Sequence, residues 1–248
     1  MEVTMTKTRS AFYPQRTLDR MRQATARSPQ LRAAADALVA AAQPWMERTY
    51  DDLWSMVVGP SMTRSWMVWS DGHCPACLEP VTMYQWEIDA VGRPWTLKCP
   101  ACAELFPKND FAAYHTSGLD TAAVFDPALA DRAQLYNTAH PDESHPLHAF
   151  GVDDGEGYRN DDNVWRFVGA YLVYGQWKQL VVGGVDSLSA AYVVTQDQEY
   201  ANRALILLDR VADIYPTYDY ATQGLVYETA GHRGYVSVWH DACEETRQ

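Results

Sequence analysis

Apolar residues recur at three- and four-residue steps in two stretches, 16–58 and 163–214. Between them the pattern breaks into alternation and then into loops. In the first stretch, Ser28 followed by Pro29 reads as an N-cap and a first-turn proline. Leu31, Ala34, Ala35, Leu38 and Val39 then share one helical face, and Pro44 is expected to stop the helix. A short helix is predicted over 51–58, ended by Gly59-Pro60. In the second stretch Trp165, Val168, Leu172 and Gln176 fall on one face of a helix starting at Asn163. Gly183-Gly184 punctuates it, and 185–195 reads as a second helix or a kinked extension. Asp197 caps a third helix over 198–214, with Ala201, Leu205, Leu208 and Ala212 as its stripe and Pro216 after it. Consecutive helices joined by a short turn form an αα-hairpin. The run from Val236 reads as another helix with no stop signal, as in a chain that continues.

The middle is different. Residues 81–88 alternate with a period of two, Gly92 supplies a turn, and 95–98 form a returning strand. Residues 106–162 carry Pro107, Pro127, Pro141, Pro146, Gly151, Gly155 and Gly157, which interrupt regular structure, with one short helix expected over 127–136.

Cys-Pro-Ala-Cys occurs at each end of the alternating region, as Cys74/Cys77 and Cys99/Cys102. Two thiolate pairs on tight turns, brought together by a hairpin, suit a tetrahedral metal, and zinc is the expected ion, with iron as the alternative. Four thiolates leave no open position, so the role is structural. His73 is expected beside the site and not in it. The fifth cysteine, Cys243, reads as a buried small apolar residue.

Charge narrows the partners. The chain has 20 basic and 32 acidic residues, a net charge of -12, which disfavours nucleic acid. Between the cysteine pairs Glu79, Glu87 and Asp89 outnumber Arg93 and Lys98, a poor footprint for a phosphate backbone. No apolar run is long enough to span a bilayer, and the N-terminal residues lack the apolar stretch of a signal peptide. The compartment stays open: periplasmic or secreted if a leader is missing from this chain, otherwise cytoplasmic. Nine Trp and fifteen Tyr supply flat faces that could line a sugar cleft as well as a core.

Several strings resemble the N-terminal part of heparinase II/III-like polysaccharide lyases. They are the two Cys-Pro-Ala-Cys turns, Glu104-Leu-Phe-Pro-Lys-Asn-Asp-Phe111, Gly151-Val-Asp-Asp-Gly-Glu-Gly157 and Tyr174-Gly-Gln-Trp-Lys178. Ala190-Ala-Tyr-Val-Val-Thr-Gln-Asp197 and Gly234-Tyr-Val-Ser-Val-Trp-His-Asp241 complete the set. The resemblance implies a mainly α fold, an incomplete (α/α) toroid carrying a small β-hairpin zinc ribbon. Residues 1–69 would be its first helices, 70–107 the ribbon, 108–162 a covering segment and 163–248 the αα-hairpin part. It also implies β-elimination on an acidic, uronate-containing polysaccharide, which needs a group to neutralise the carboxylate, a base and an acid. The candidates are Gln176, Tyr235 and His240 for chemistry, and Tyr174, Trp177, Trp239 and Asp154 for binding. Two other readings remain. One is a glycoside hydrolase, with Asp154 facing Glu228 or Asp241. The other is a non-catalytic carbohydrate-binding protein. Asp153, Asp154 and Glu156 read as a solvated turn or a cation site, and His140, His145 and His148 as loop packing.

Overall fold

The structure is a computed structural model. It describes residues 13–65, 67–68, 72–81 and 85–217, and the backbone of two strands, Gly224–Thr229 and His232–Tyr235. The fold is mainly helical, with small sheets. The expected helix from Val236, and with it Cys243, lies outside the described residues. The chain divides into two compact units. One runs up to Leu53 and includes Gly184–Leu208; the other comprises Trp54–Gly183 and the chain from Asp209.

The first unit is built from helices α1 (Gln15–Arg27) and α2 (Pro29–Met46), most of α6 (Gly183–Thr195) and the first part of α7 (Gln198–Ile214). Ser28 caps α2, its hydroxyl accepting from the Leu31 N–H. Pro44 does not stop this helix, which runs on to Met46. Proline costs a helix the N–H bond one turn back, here the one to the Ala40 carbonyl; Pro44 lies in the last turn, and Arg203 caps the carbonyls that follow it. Its guanidinium donates to the Trp45 carbonyl at 3.1 Å and to the Arg48 carbonyl. Trp45 is buried, and a Cβ on Gly184 would lie 2.4 Å from its ring nitrogen and 2.9 Å from Leu207. Gly184 therefore permits close helix packing and does not break the helix, which continues through both glycines.

On α7 the buried residues are Tyr200, Ala204, Leu207, Arg210 and Ile214, whereas Leu205 and Leu208 are exposed. The expected stripe is therefore on the wrong side. The helix carries two apolar rows, and periodicity alone does not say which faces inward.

The second unit has an aromatic core of Val58, Met62, Phe111, Tyr114, Phe125, Val168 and Leu172. Helix α3 (Tyr50–Ser55) leads into it, ending three residues before the sequence predicted. Strand β1 (Arg64–Ser65) pairs in parallel with β7 (Gly224–Thr229), and β7 pairs antiparallel with β8 (His232–Tyr235). The expected hairpin is a three-stranded antiparallel sheet: β2 (Glu87–Ile88), β3 (Leu97–Lys98) and β4 (Leu105–Phe106). The return strand starts late because Trp95 has a φ of 62°, incompatible with a strand.

The loop-rich region contains α4 (Phe111–Ser117), where no helix was expected. Asp110 caps it, its carboxylate accepting from the Ala113 N–H at 3.0 Å. The helix expected over 127–136 reduces to a single 3-10 turn, Arg132–Gln134. A second unexpected pair, β5 (Tyr158–Asn160) with β6 (Asn163–Trp165), delays the following helix α5 to Phe167–Tyr171. From there the chain winds as a π-helix, Leu172–Val182, into α6.

Candidate functional site

The two Cys-Pro-Ala-Cys turns adopt the same backbone. In each, the first cysteine's N–H donates to the glutamate carbonyl five residues on, Cys74 to Glu79 at 3.0 Å and Cys99 to Glu104 at 2.9 Å. Its own carbonyl accepts from the residue after the second cysteine, Leu78 or Ala103, at 2.9 Å in both. Leu78 and Ala103 both take a left-handed conformation, φ 62° and 63°. This curl turns both sulfurs of a pair to one side. All four Sγ atoms lie within 4.8 Å of one another, and Cys74 and Cys102 are 3.9 Å apart. A tetrahedral site with metal–sulfur bonds of ~2.3 Å sets its sulfurs about 3.8 Å apart, so the donor set fits a metal ion. The Ala76 N–H points at Cys74 Sγ, 3.4 Å away, as it would to support a thiolate. Burial pushes the Cys74 thiol up to about 12. Burial acts the same way on Cys99, but the Cys102 and Ala101 N–H groups and the neighbouring thiols outweigh it, leaving that thiol below its ordinary value. A divalent cation would favour the thiolate in both. His73 is no ligand: its carbonyl accepts from Trp165 Nε1 at 2.8 Å and its ring meets Trp165 edge-on.

The sheet below the cysteines is tied to the helical part of this unit by Phe106 stacked on Phe167 at 4.6 Å, by Gln179 and by Trp95. Gln179, on the π-helix, accepts from the Ala90 N–H at 2.9 Å and donates to the Ile88 carbonyl at 2.8 Å, so one amide pairs with strand β2 as a neighbouring strand would. Trp95, at the hairpin tip, packs against Phe111, His115 and Tyr171 with ring centroids 5.1, 4.8 and 5.0 Å away. His115 is buried, and burial lowers its pKa to about 4.

Between β2 and the π-helix lies a cleft of about 330 Å3, lined by Val68, Trp86, Ile88, Ala170, Tyr174, Lys178 and Gln179. Lys178 Nζ sits 4.7 Å from the centroid of the Tyr174 ring. The Trp86 ring nitrogen is buried and has no hydrogen-bond partner among the described residues. The cleft thus joins the half-buried Tyr174 ring and the buried Trp86 ring to one cation and an amide.

Of the residues singled out from sequence, Tyr174 lines this cleft. Trp177 is half-buried on the same π-helix. Gln176 is buried, its Nε2 donating to the Met56 carbonyl while Oε1 has no partner among the described residues. Asp154 lies in another loop, 3.5 Å from Arg132. Tyr235 contributes backbone to β8, paired with Leu225; Trp239, His240 and Asp241 lie outside the described residues. Trp86, Lys178 and Gln179 were not given roles from sequence. Only Lys178 carried a signal, a cation four residues beyond Tyr174.

The acidic turn is neither solvated nor a cation site at Asp153, which is fully buried. Its carboxylate accepts from the N–H groups of Gly155 (2.8 Å), Gly157 (3.0 Å) and Val168 (3.0 Å), joining the loop to the first turn of α5. Burial nevertheless pushes its pKa up to about 6. Gly155 and Gly157, both at φ 105°, allow the loop to wrap the carboxylate. His140 and His145 stack at 4.1 Å in their loop, and the His148 Nδ1–H donates to the His140 carbonyl, 3.0 Å away.

No family model, no curated protein and no solved structure matches this chain.

Proposed function

We propose that the chain is part of a heparinase II/III-like polysaccharide lyase, in which the four cysteines hold a structural zinc ion in a ribbon inserted into an incomplete (α/α) toroid. The reading is carried by the cleft at Trp86, Tyr174, Lys178 and Gln179. Pyranose rings present apolar C–H faces that stack on Trp and Tyr, and a uronate adds a carboxylate that needs a cation or amide partner. Lys178 supplies the cation beside the Tyr174 and Trp86 rings, and Gln179 keeps one amide N–H beyond its bonds to the hairpin. A cation at that carboxylate also raises the acidity of the neighbouring α-proton, the first requirement of β-elimination.

Zinc fits this picture as a fastener. Cys74, Cys77, Cys99 and Cys102 would hold it; with four protein ligands it binds no substrate, and what it supplies when bound is cross-linking. Cys99 directly follows β3, which pairs with β2, so the metal would hold in place the strand that carries Ile88 into the cleft.

The test is incubation of the purified chain with polygalacturonate and other uronate polymers, followed by ultraviolet absorption. Unsaturated products are expected, and they should disappear in Tyr174→Ala and Lys178→Ala. New reducing ends without absorption would identify hydrolysis instead. Binding without any product would leave a carbohydrate-binding protein, and no binding would overturn the reading. Elemental analysis tests the metal: one zinc per chain is expected, iron would replace zinc in the proposal, and no metal would remove it.

A further inference from the structure

Helix α1 has two chemically distinct sides. Leu18, Arg22 and Thr25 are half-buried, and Arg22 Nε donates to the Val193 carbonyl at 3.0 Å. With 3.6 residues per turn, Arg16, Arg20 and Arg27 fall within about 40° of a single line on the opposite side, spanning about 16 Å of helix. All three are exposed. None has a carboxylate partner among the described residues, because Asp19, the only acid in the helix, is taken by Gln15 at 2.9 Å and Arg22 at 3.5 Å. The concentration is unusual for the chain, whose net charge is -12. Five arginines and one aspartate fall within residues 16–32.

We propose that Arg16, Arg20 and Arg27 form a docking strip for a linear carboxylated polysaccharide, separate from the Trp86–Tyr174 cleft. The inference rests on reading that cleft as a uronate site. Guanidinium groups bind carboxylates through paired N–H donors, and a row along a helix axis matches a polymer better than a single small anion. Two competing polyanions fit less well. Duplex DNA carries a charge every ~1.7 Å and would be strongly repelled by the remaining acidic surface. An anionic membrane would take an amphipathic helix by its apolar side, but the Leu18 side of α1 is already turned toward protein.

The experiment is titration of the full chain with polygalacturonate at low and moderate salt. It compares wild type, the triple variant Arg16→Gln/Arg20→Gln/Arg27→Gln, and the cleft variant Tyr174→Ala/Lys178→Ala. Glutamine keeps helix propensity at exposed positions, and circular dichroism checks that all three proteins fold alike. The triple variant is expected to bind roughly tenfold more weakly, with a flatter salt dependence, and the cleft variant to weaken independently. Wild-type affinity in the triple variant would overturn the strip, whatever the cleft variant does. A loss confined to the triple variant would overturn the cleft and leave the strip standing. Arginine-dependent binding of duplex DNA or anionic phospholipid vesicles, without binding of polygalacturonate, would also overturn the proposal.

Discussion

Two parts of the second unit fix their backbones by opposite means. In the cysteine-bearing segment, the described residues 72–81 and 85–106 form strands of two residues each, too short to hold a sheet by pairing alone. Beyond the buried Trp86, Leu97 and Phe106, its order rests on a few specific links: two knuckles whose four sulfurs would meet at a metal ion, the Gln179 amide against β2 and the Trp95 ring in the core. The body formed by α4, the Phe125 loop and α5 relies on packing, with Phe111, Tyr114, Phe125, Val168 and Leu172 all at most 2% exposed. Regular strands are therefore not required for a precise surface, provided a few strong links stand in for many weak ones. The cleft lies where the two parts meet, with Trp86 and Ile88 from the first and Ala170 and Tyr174 from the second.

Loss of the metal ligands should separate the two parts most sharply. Metal binding to structural thiolate sites is worth roughly 10–16 kcal/mol at neutral pH. Cys99→Ser or chelation is expected to abolish hydrogen-exchange protection in 72–106 while leaving α4 and α5 protected. Simultaneous loss in both would show that the body depends on the cross-link. Next, Trp95→Ala should cost about 3 kcal/mol in denaturant unfolding, because it empties the space between Phe111, His115 and Tyr171. A cost under about 1 kcal/mol would mean that the tip is only resting on the core.

A comparable effect is expected from acid. His115 has a folded pKa of about 4 against about 6.5 in the open chain, so the unfolded state binds more protons between those values. Its contribution is complete above pH 6.5 and is lost as pH falls toward 4, by about 3 kcal/mol in all. Asp153, raised to about 6, acts in the other sense, gaining stability as pH falls from 6 to 4. The comparison must therefore be wild type against His115→Phe. The variant should lose the acid sensitivity due to His115, and parallel profiles would refute the assignment. The smallest effect is expected from Gln179→Ala, about 1–2 kcal/mol, because it strands the Ala90 N–H and the Ile88 carbonyl. Faster exchange of the Ala90 amide would report it, and unchanged exchange would count against that link.

Legibility from sequence followed the range of the interactions. The cysteine pairs were legible because a metal site is written in local spacing. Helix α2 was legible from Ser28-Pro29, but not its end, because Arg203, far along the chain, protects the turn after Pro44. Helix α4 had its local signal, Asp110 followed by Phe111, Tyr114 and His115 at helical steps, yet the surrounding prolines and glycines masked it. The inward face of α7 could not be read, since Leu205/Leu208 and Ala204/Leu207 are equally apolar rows. The cleft was legible only through Tyr174. Trp86 and Gln179 are brought to it by strand and π-helix geometry that has no short motif. Asp153 read as solvent-facing because its three N–H partners include one fifteen residues away.

The π-helix makes chain length itself a positioning device. Winding by five-residue steps, it sets Tyr174, Lys178 and Gln179 at angles that an ordinary α-helix of the same sequence would not reproduce. Removing a single residue between Leu172 and Val182 would let the segment tighten into α geometry and rotate those side chains away from the hairpin, though each would remain chemically intact.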